Sequence, residues 1–264
     1  MNTRWKSRSH NRDHRKFAEE YATVKEAIVS PLTPHPCRAF ASEALLGPLN
    51  DVEQLHAPAT LFVAGDPQIL RHGARVAVVG SRNASPQGLA RARKLATRLC
   101  ERAIVVVSGL AAGIDTAAHQ ATLAAGGRTI AVLGTPLDQV YPKTNTALQH
   151  QVMREHLCIS QFPAGAPIHR RNFPMRNRTM ALFSDATVII EATDTSGALV
   201  QGWEALRLGR GLFIAQSVAE DATVSWPIKL LYYGGRVLSD ETLDSLFDSL
   251  PHRTEADVRG AIPF

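Results

Sequence analysis

The chain has 264 residues, 45% of them hydrophobic, and a formal net charge of +5. That size supports one substantial core with a small appended element, and no run approaches the ~20 apolar residues that a membrane helix needs. The basic N-terminus has no apolar stretch behind it, which predicts no secretory signal. Cys37, Cys100 and Cys158 form no CxxC pair, so neither a metal site nor a disulfide framework is predicted, and a reducing, cytoplasmic setting is.

The charge is unevenly placed. Residues 1–16 hold six basic side chains and one acid, which accounts for the whole net charge and predicts a solvated, disordered tail. The body is neutral but segregated. No acid lies between Asp66 and Glu101, a window with Arg71, Arg75, Arg82, Arg91, Arg93, Lys94 and Arg98. None lies between Glu155 and Asp185, where Arg170, Arg171, Arg176 and Arg178 occur with His156 and His169. Two such windows in one domain can build a positive surface that the total conceals.

In chain order, residues 17–30 predict a short helix, and the PLTPHPC stretch with its three prolines stops it. Residues 17–72 as a whole read as a short lead-in packed on the main domain, which spans 73–250; residues 251–264 read as a C-terminal tail. The run VAVVG, β-branched and closed by a glycine turn, predicts a buried parallel strand. A helix follows over Pro86–Glu101 with Leu89, Ala92, Ala96 and Leu99 on one face. IVVVSG is the second strand, GIDTAAHQATLAA a helix that Gly126-Gly127 ends, RTIAVLG the third strand, CIS the fourth, TVIIEA the fifth and GLFIA the sixth. The segment WPIKLLYYGGRVLSDETLDSLFDSL predicts one or two closing helices. The alternation means an α/β fold, a Rossmann-like doubly wound, mostly parallel sheet with flanking helices.

In such a sheet the ligand lies outside the carboxyl ends of the strands, where loops lead into helix N-termini. Three glycine turns fall there: Gly80-Ser81-Arg82, Ser108-Gly109 and Ser196-Gly197. In the first, Gly80 lets the backbone approach an anion, Ser81 offers a hydroxyl and an amide, and Arg82 can grip phosphate through two parallel hydrogen bonds. A nicotinamide cofactor is excluded: there is no GxGxxG, and no acid ends the second strand to take ribose hydroxyls. Asp115 and His119 are four apart and share a helix face. With no third ligand in view, a capping carboxylate and a packed histidine are preferred over an acid–base or metal pair. In FPMRNR, Arg176 and Arg178 flank Asn177 beside Phe173, a ring able to stack on a base. Tyr141, Lys143 and Asn145 follow the third strand, and Lys143 adds a phosphate-facing point charge.

The strings VAVVGSR, SGLAAGIDTAAH, GGRTIAVLGTPLDQVYPKTN, NFPMRNR and EATDTSGAL, in this order and spacing over about residues 59–213, resemble the DNA-processing protein A (DprA/Smf) family. The resemblance implies a Rossmann-like domain that binds single-stranded DNA without catalysis or cofactor. It also implies a protein that protects incoming strands in natural transformation, loads a RecA-type recombinase and tends to form a homodimer, with no membrane association. Arg82, Lys143, Arg176 and Arg178 carry over as DNA-contacting residues, and Ser108-Gly109 and Ser196-Gly197 match the family's other glycine turns. The chain departs from the family pattern at Gln161, at Val200–Gly202 and at Gln216-Ser217. At 264 residues it is expected to lack a full N-terminal helical domain and a C-terminal winged helix. Two other readings stay open. One is a nucleotide-binding or nucleotide-hydrolysing Rossmann-like protein, although the PGGxGTxxE loop is missing and only Glu204 lies further along. The other is a reused DNA-binding module of a mobile element or defence system.

Overall fold

The computed structural model describes residues 36–251; the basic tail 1–16, the helix expected over 17–30 and all but the first residue of the C-terminal tail lie outside them. Nine strands form one sheet in the order β1-β2-β6-β5-β4-β3-β7-β8-β9. The six apolar runs of the sequence supply β3 (Arg75–Gly80), β4 (Val105–Ser108), β5 (Thr129–Leu133), β6 (Leu157–Ser160), β7 (Ala186–Glu191) and β8 (Gly211–Ala215). All six are parallel to their neighbours within this set. The short β9 (Arg236–Leu238) extends the parallel set beside β8; it lies in the segment expected to hold helices only.

The lead-in does more than pack on the main domain. Its β1 (Cys37–Ala41) and β2 (Thr60–Gly65) add an antiparallel hairpin to β6, so the sheet runs through residue 73 without a break. Between them, α1 (Ser42–Leu46) and α2 (Asp51–Gln54) are short, and Asn50 opens α2 through a capping box with Glu53.

Successive residues of a strand face opposite sides of the sheet, and the core divides accordingly. On one side, Val76, Val78, Val106 and Val188 pack on α3 (Pro86–Glu101) and α4 (Ile114–Ala124). Ala131, Leu133 and Cys158 meet α5 (Thr146–Glu155) in a second cluster. On the other side, Ala77, Val79, Val107, Ile189 and Ile214 pack on α6 (Asn172–Leu182), α7 (Ala198–Arg207) and α9 (Trp226–Tyr232). The four-residue α8 (Gln216–Ala219) and α10 (Leu243–Asp248) close the far edge.

The C-terminus of α4 carries the expected glycine stop. Gly126 adopts φ +68, its amide reaches Leu123 O at 3.1 Å and the Gly127 amide reaches Thr122 O at 2.9 Å, the double bond pattern of a Schellman motif. No helix among the described residues is long and apolar enough to cross a membrane.

The chain lays down β3 to β6 in one direction, then returns to place β7 on the other side of β3. The crevice outside β3 and β7 is therefore the topological switch point, where open parallel sheets bind ligands.

Candidate nucleic-acid interface

A cleft of about 540 Å³ occupies that switch point. Its walls are the Gly80-Ser81-Arg82 turn, the loop before α4, the first turns of α6, and Thr193–Ala198 leading into α7. Besides α6, three helices begin at it, and the structure treats their N-termini differently.

The first belongs to α3. Ser85 caps it, with its hydroxyl accepting from the Gly88 amide at 3.0 Å. The Glu191 carboxylate from the end of β7 closes over the cap, accepting from the Ser85 amide at 2.9 Å and from its hydroxyl at 2.5 Å. A Cβ on Gly88 would lie 2.3 Å from that carboxylate, so only glycine fits there. The position where a dinucleotide-binding sheet seats a pyrophosphate is thus filled by an internal acid. The acid that matters ends β7, not β4, and nothing in the local sequence marked it.

Asp115 occupies the second N-terminus, that of α4. Its carboxylate accepts from the amides of Gly109 at 3.1 Å and Ala111 at 3.3 Å. Burial pushes its carboxyl above the ordinary range, opposed by the Arg176 charge and by these amides. His119 is fully buried, with Nδ1 against Thr129 Oγ1 at 2.7 Å. Burial lowers its pKa to about 3, with the charges of His156 and Arg176 acting in the same direction. The pair is a loop clamp and a packed histidine, and among the described residues no group of His, Cys, Asp or Glu is placed to hold a metal ion.

The third N-terminus, at α7, receives no side-chain carboxylate. Ser196 Oγ accepts from the Ala198 amide at 3.3 Å, and the exposed Gly197 faces the cleft. Of the three glycine turns, this one leaves the Gly197 amide and the positive end of the helix dipole to a ligand, the Ser196, Ala198, Leu199 and Val200 amides being bound within the turn.

Arg82 stands exposed on the rim of the cleft and pairs with no carboxylate among the described residues. Its guanidinium lies over the Phe173 ring, 5.0 Å from the centroid. Phe173 in turn meets Tyr141 with centroids 5.4 Å apart. The ring rests on bare backbone: a Cβ on Gly134 would lie 2.7 Å from Phe173 Cδ1. Arg82, Phe173 and Tyr141 therefore form one continuous cationic and aromatic shelf, assembled from two loops and the first turn of α6. Lys143, two residues beyond Tyr141, and Arg170 and Arg171, just before α6, are all exposed beside it. Arg170 and Arg171 stood out only as members of a basic window.

Several of the predicted residues are engaged within the protein and hold the site together, and of these Gly80, Ser81, Arg176 and Asn177 also line the cleft. Ser81 donates its amide to Glu191 O at 2.7 Å, so that amide is spent on the turn, while its hydroxyl oxygen accepts from the Asn83 amide at 3.1 Å. Gly80 is glycine because a Cβ would strike Ile114 at 2.6 Å and Glu191 O at 2.8 Å, a demand of protein packing. Ser108 is fully buried and donates its hydroxyl to Val78 O at 2.6 Å. Gly109 is buried beneath Arg176, whose Nη1 would lie 2.1 Å from a Cβ there.

Arg176 itself is only 5% exposed. Its guanidinium donates to the carbonyls of Gly109 and Val132, the latter at 2.7 Å, and to Asn177 Oδ1 at 2.8 Å. Burial brings its pKa down to about 10 against the support of Asp115. Asn177 passes the constraint on by donating to Gly197 O at 2.8 Å. Arg178 diverges from Arg176 by about 200° around the helix, since each residue turns about 100°. It sits outside the cleft, bound to Glu204 at 3.0 Å. The RNR string thus forms a brace and an outward ion pair, because it lies on a helix. Glu204 is held by both Arg178 and Arg207 and does not line the cleft, so it is not placed to assist hydrolysis there.

Residues 48–243 match the family model of DNA recombination-mediator protein A. The chain belongs to that family. It is 33% identical over 196 residues to the DNA processing protein DprA of Bacillus subtilis and 40% identical over 200 residues to that of Streptococcus pneumoniae. These alignments cover 74% and 75% of this chain, and 65% and 69% of those relatives, so the chain spans about two-thirds of their length. The X-ray structure of DprA from S. pneumoniae superposes with a TM-score of 0.71 at 32% identity, over 89% of this chain and 82% of that one. A DprA structure from Helicobacter pylori, described by its single-stranded DNA binding mode, shares the fold with a TM-score of 0.70 at 22% identity, over 83% of this chain and 99% of that one. Family membership thus attaches to β2 to β9 of the sheet and to the switch-point cleft, which lie within the matched residues.

The buried histidine carries a prediction of its own. A histidine held neutral when folded binds its proton only on unfolding, so the unfolded chain takes up more protons between pH 6.5 and about 3. Its contribution to stability is present above that window and is lost as pH falls through it, by up to about 1.4 kcal/mol per pH unit. Denaturant melts of the wild type and of His119→Gln across this range should show a steeper pH slope for the wild type. Equal slopes would mean that His119 is protonated in the folded state.

Proposed function

We propose that the cleft binds the backbone of single-stranded DNA and that the shelf stacks its bases, with no chemical step. One observation carries this reading: the exposed Arg82 lies on an aromatic shelf in the same cleft as the α7 N-terminus, which no side-chain carboxylate fills. A phosphate in the cleft meets the Arg82 fork from one side and the Gly197 amide at the start of α7 from the other. Bases of the same strand reach Tyr141 and Phe173, and such stacking takes any base because every base has a π face. Lys143, Arg170 and Arg171 would follow the backbone on either side. Arg176, Asn177, Ser108 and Gly109 act as positioning residues that fix the strand ends and the α7 cap.

The same reading extends to loading a RecA-type recombinase, to a homodimeric form and to a cytoplasmic setting. The family description, a recombination mediator, supports the recombinase role, and the single-stranded DNA binding of the H. pylori relative supports the binding itself.

The test is a titration of labelled single- and double-stranded DNA at two salt concentrations. Wild type should prefer the single strand and weaken as salt rises. Arg82→Ala should bind about tenfold more weakly at low salt, with a log–log salt slope shallower by about 1 because one phosphate contact is gone. Equal binding by Arg82→Ala, or no binding of either DNA by the wild type, would reject the reading. Release of free base from a nucleoside monophosphate would favour the hydrolase instead.

A further inference from the structure

A second cavity, of about 350 Å³, opens at the carboxyl ends of β8 and β9, between α3, α8 and α10. One wall is the row Arg91, Lys94 and Arg98, which the spacing of α3 places on one face with Leu95 between them. The floor is apolar, made by Leu95, Ile190, Ala215 and Leu238. Gln216, Ser217 and Ser239 supply amide and hydroxyl groups at the rim. Gln216-Ser217 is one of the places where the chain departs from its family's pattern, and the cleft at the switch point makes no use of it.

Two acids also line the cavity, and magnitudes decide whether they close it to an anion. Lys94 pairs with Asp240 at 2.7 Å, but the two side chains are 60% and 79% exposed. Exposed pairs of this kind contribute about 0–1 kcal/mol, so a phosphate can displace Asp240 at little cost. Glu220 accepts from the Gln216 amide at 2.8 Å and keeps its charge, so a phosphate must seat on Arg91 and Lys94, and Gln216 is held by Glu220. Arg91 lines the cavity and pairs with no carboxylate among the described residues. A cationic wall, an apolar floor and a few convergent polar groups, in a volume that suits one nucleotide, describe a site for a base joined to a phosphate.

We infer that this cavity is a second nucleoside-phosphate subsite, with the base on the apolar floor and the phosphate on Arg91 and Lys94. Ile190 lines the cavity and the adjacent Glu191 clamps the first turn of the cleft, so the two sites share one rim of the sheet. The ligand is either the continuation of a strand held in the cleft or a separate nucleotide. The first source rests on the reading of the cleft given above, and the second does not.

The experiment compares wild type, Arg91→Ala/Lys94→Ala and Arg82→Ala. Each is titrated with oligothymidylates of increasing length and, separately, with thymidine monophosphate. If the strand continues into the cavity, wild-type affinity steps up by about tenfold once the oligonucleotide is long enough to span both sites. The double variant then lacks the step while binding the shortest oligonucleotide as before, and Arg82→Ala weakens binding at every length. If the nucleotide is separate, thymidine monophosphate binds to wild type and to Arg82→Ala but not to the double variant. Either outcome supports the subsite. The inference is overturned if the double variant, folded by circular dichroism, matches wild type with every ligand. Failure of the cleft reading registers elsewhere, as oligonucleotide binding untouched by Arg82→Ala.

Discussion

Arg176→Ala is expected to lower the melting temperature by roughly 10 °C, rather than to cut DNA affinity in an otherwise intact protein. The side chain is buried, and three hydrogen bonds hold its guanidinium. Truncation leaves the carbonyls of Gly109 and Val132 without this donor and Asp115 without its supporting cation. Removing one member of a buried charged set costs about 3–5 kcal/mol, because the groups left behind stay desolvated. In a domain of this size each kcal/mol moves the melting temperature by about 2–4 °C. Arg176→Lys should recover only part of the loss, since a single ammonium cannot span two carbonyls and the Asn177 amide oxygen in the fixed fork geometry of arginine. Thermal melts and DNA titrations of the same preparations decide the matter. If Arg176→Ala melts like the wild type and binds DNA weakly, the guanidinium contacts the strand directly and the bracing role is wrong.

That contrast marks what the sequence could and could not disclose. The central strands were legible because a strand buried on both faces is a continuous β-branched run, as in VAVVG and VIIE. Their glycine turns followed, and the structure brings Arg82 and the Ser196-Gly197 turn to one cleft, at a switch point that only the strand order discloses. Edge elements were not: β9 is three residues with two of them exposed, too short to show a period, and β1 and β2 fall in a lead-in for which no strand was predicted. The role of Arg176 was hidden for a different reason. Its partners are backbone carbonyls 67 and 44 residues away, and a carbonyl leaves no trace in residue type. An arginine in an acid-free window looks like surface until the fold supplies those acceptors. Glu191 was hidden likewise, since the helix cap it closes lies 106 residues earlier. Phe173 was readable as a stacking ring, but its place between Arg82 and Tyr141 depends on two loops and the start of α6 meeting above Gly134.

Phe173→Ala tests that shelf, and it should weaken single-strand binding by about tenfold to a hundredfold. Base–aromatic stacking is worth about 1–3 kcal/mol per base, and this ring also supports its two neighbours. Salt separates the two halves of the grip. Stacking releases no counterions, so the Phe173→Ala deficit should be the same at low and high salt. The Arg82→Ala deficit should shrink as salt rises, because the wild type loses affinity faster than a variant with one phosphate contact fewer. The guanidinium and the ring touch, so the two losses should not add: Arg82→Ala/Phe173→Ala should bind better than the product of the single effects implies. Phe173→Tyr, which keeps the ring, should bind nearly as the wild type does, and Phe173→Leu, which keeps bulk without a π face, should not. Additive losses would mean that ring and guanidinium act on separate parts of the strand. Full affinity in Phe173→Leu would show that the ring is packing alone, and base contact would then fall to Tyr141.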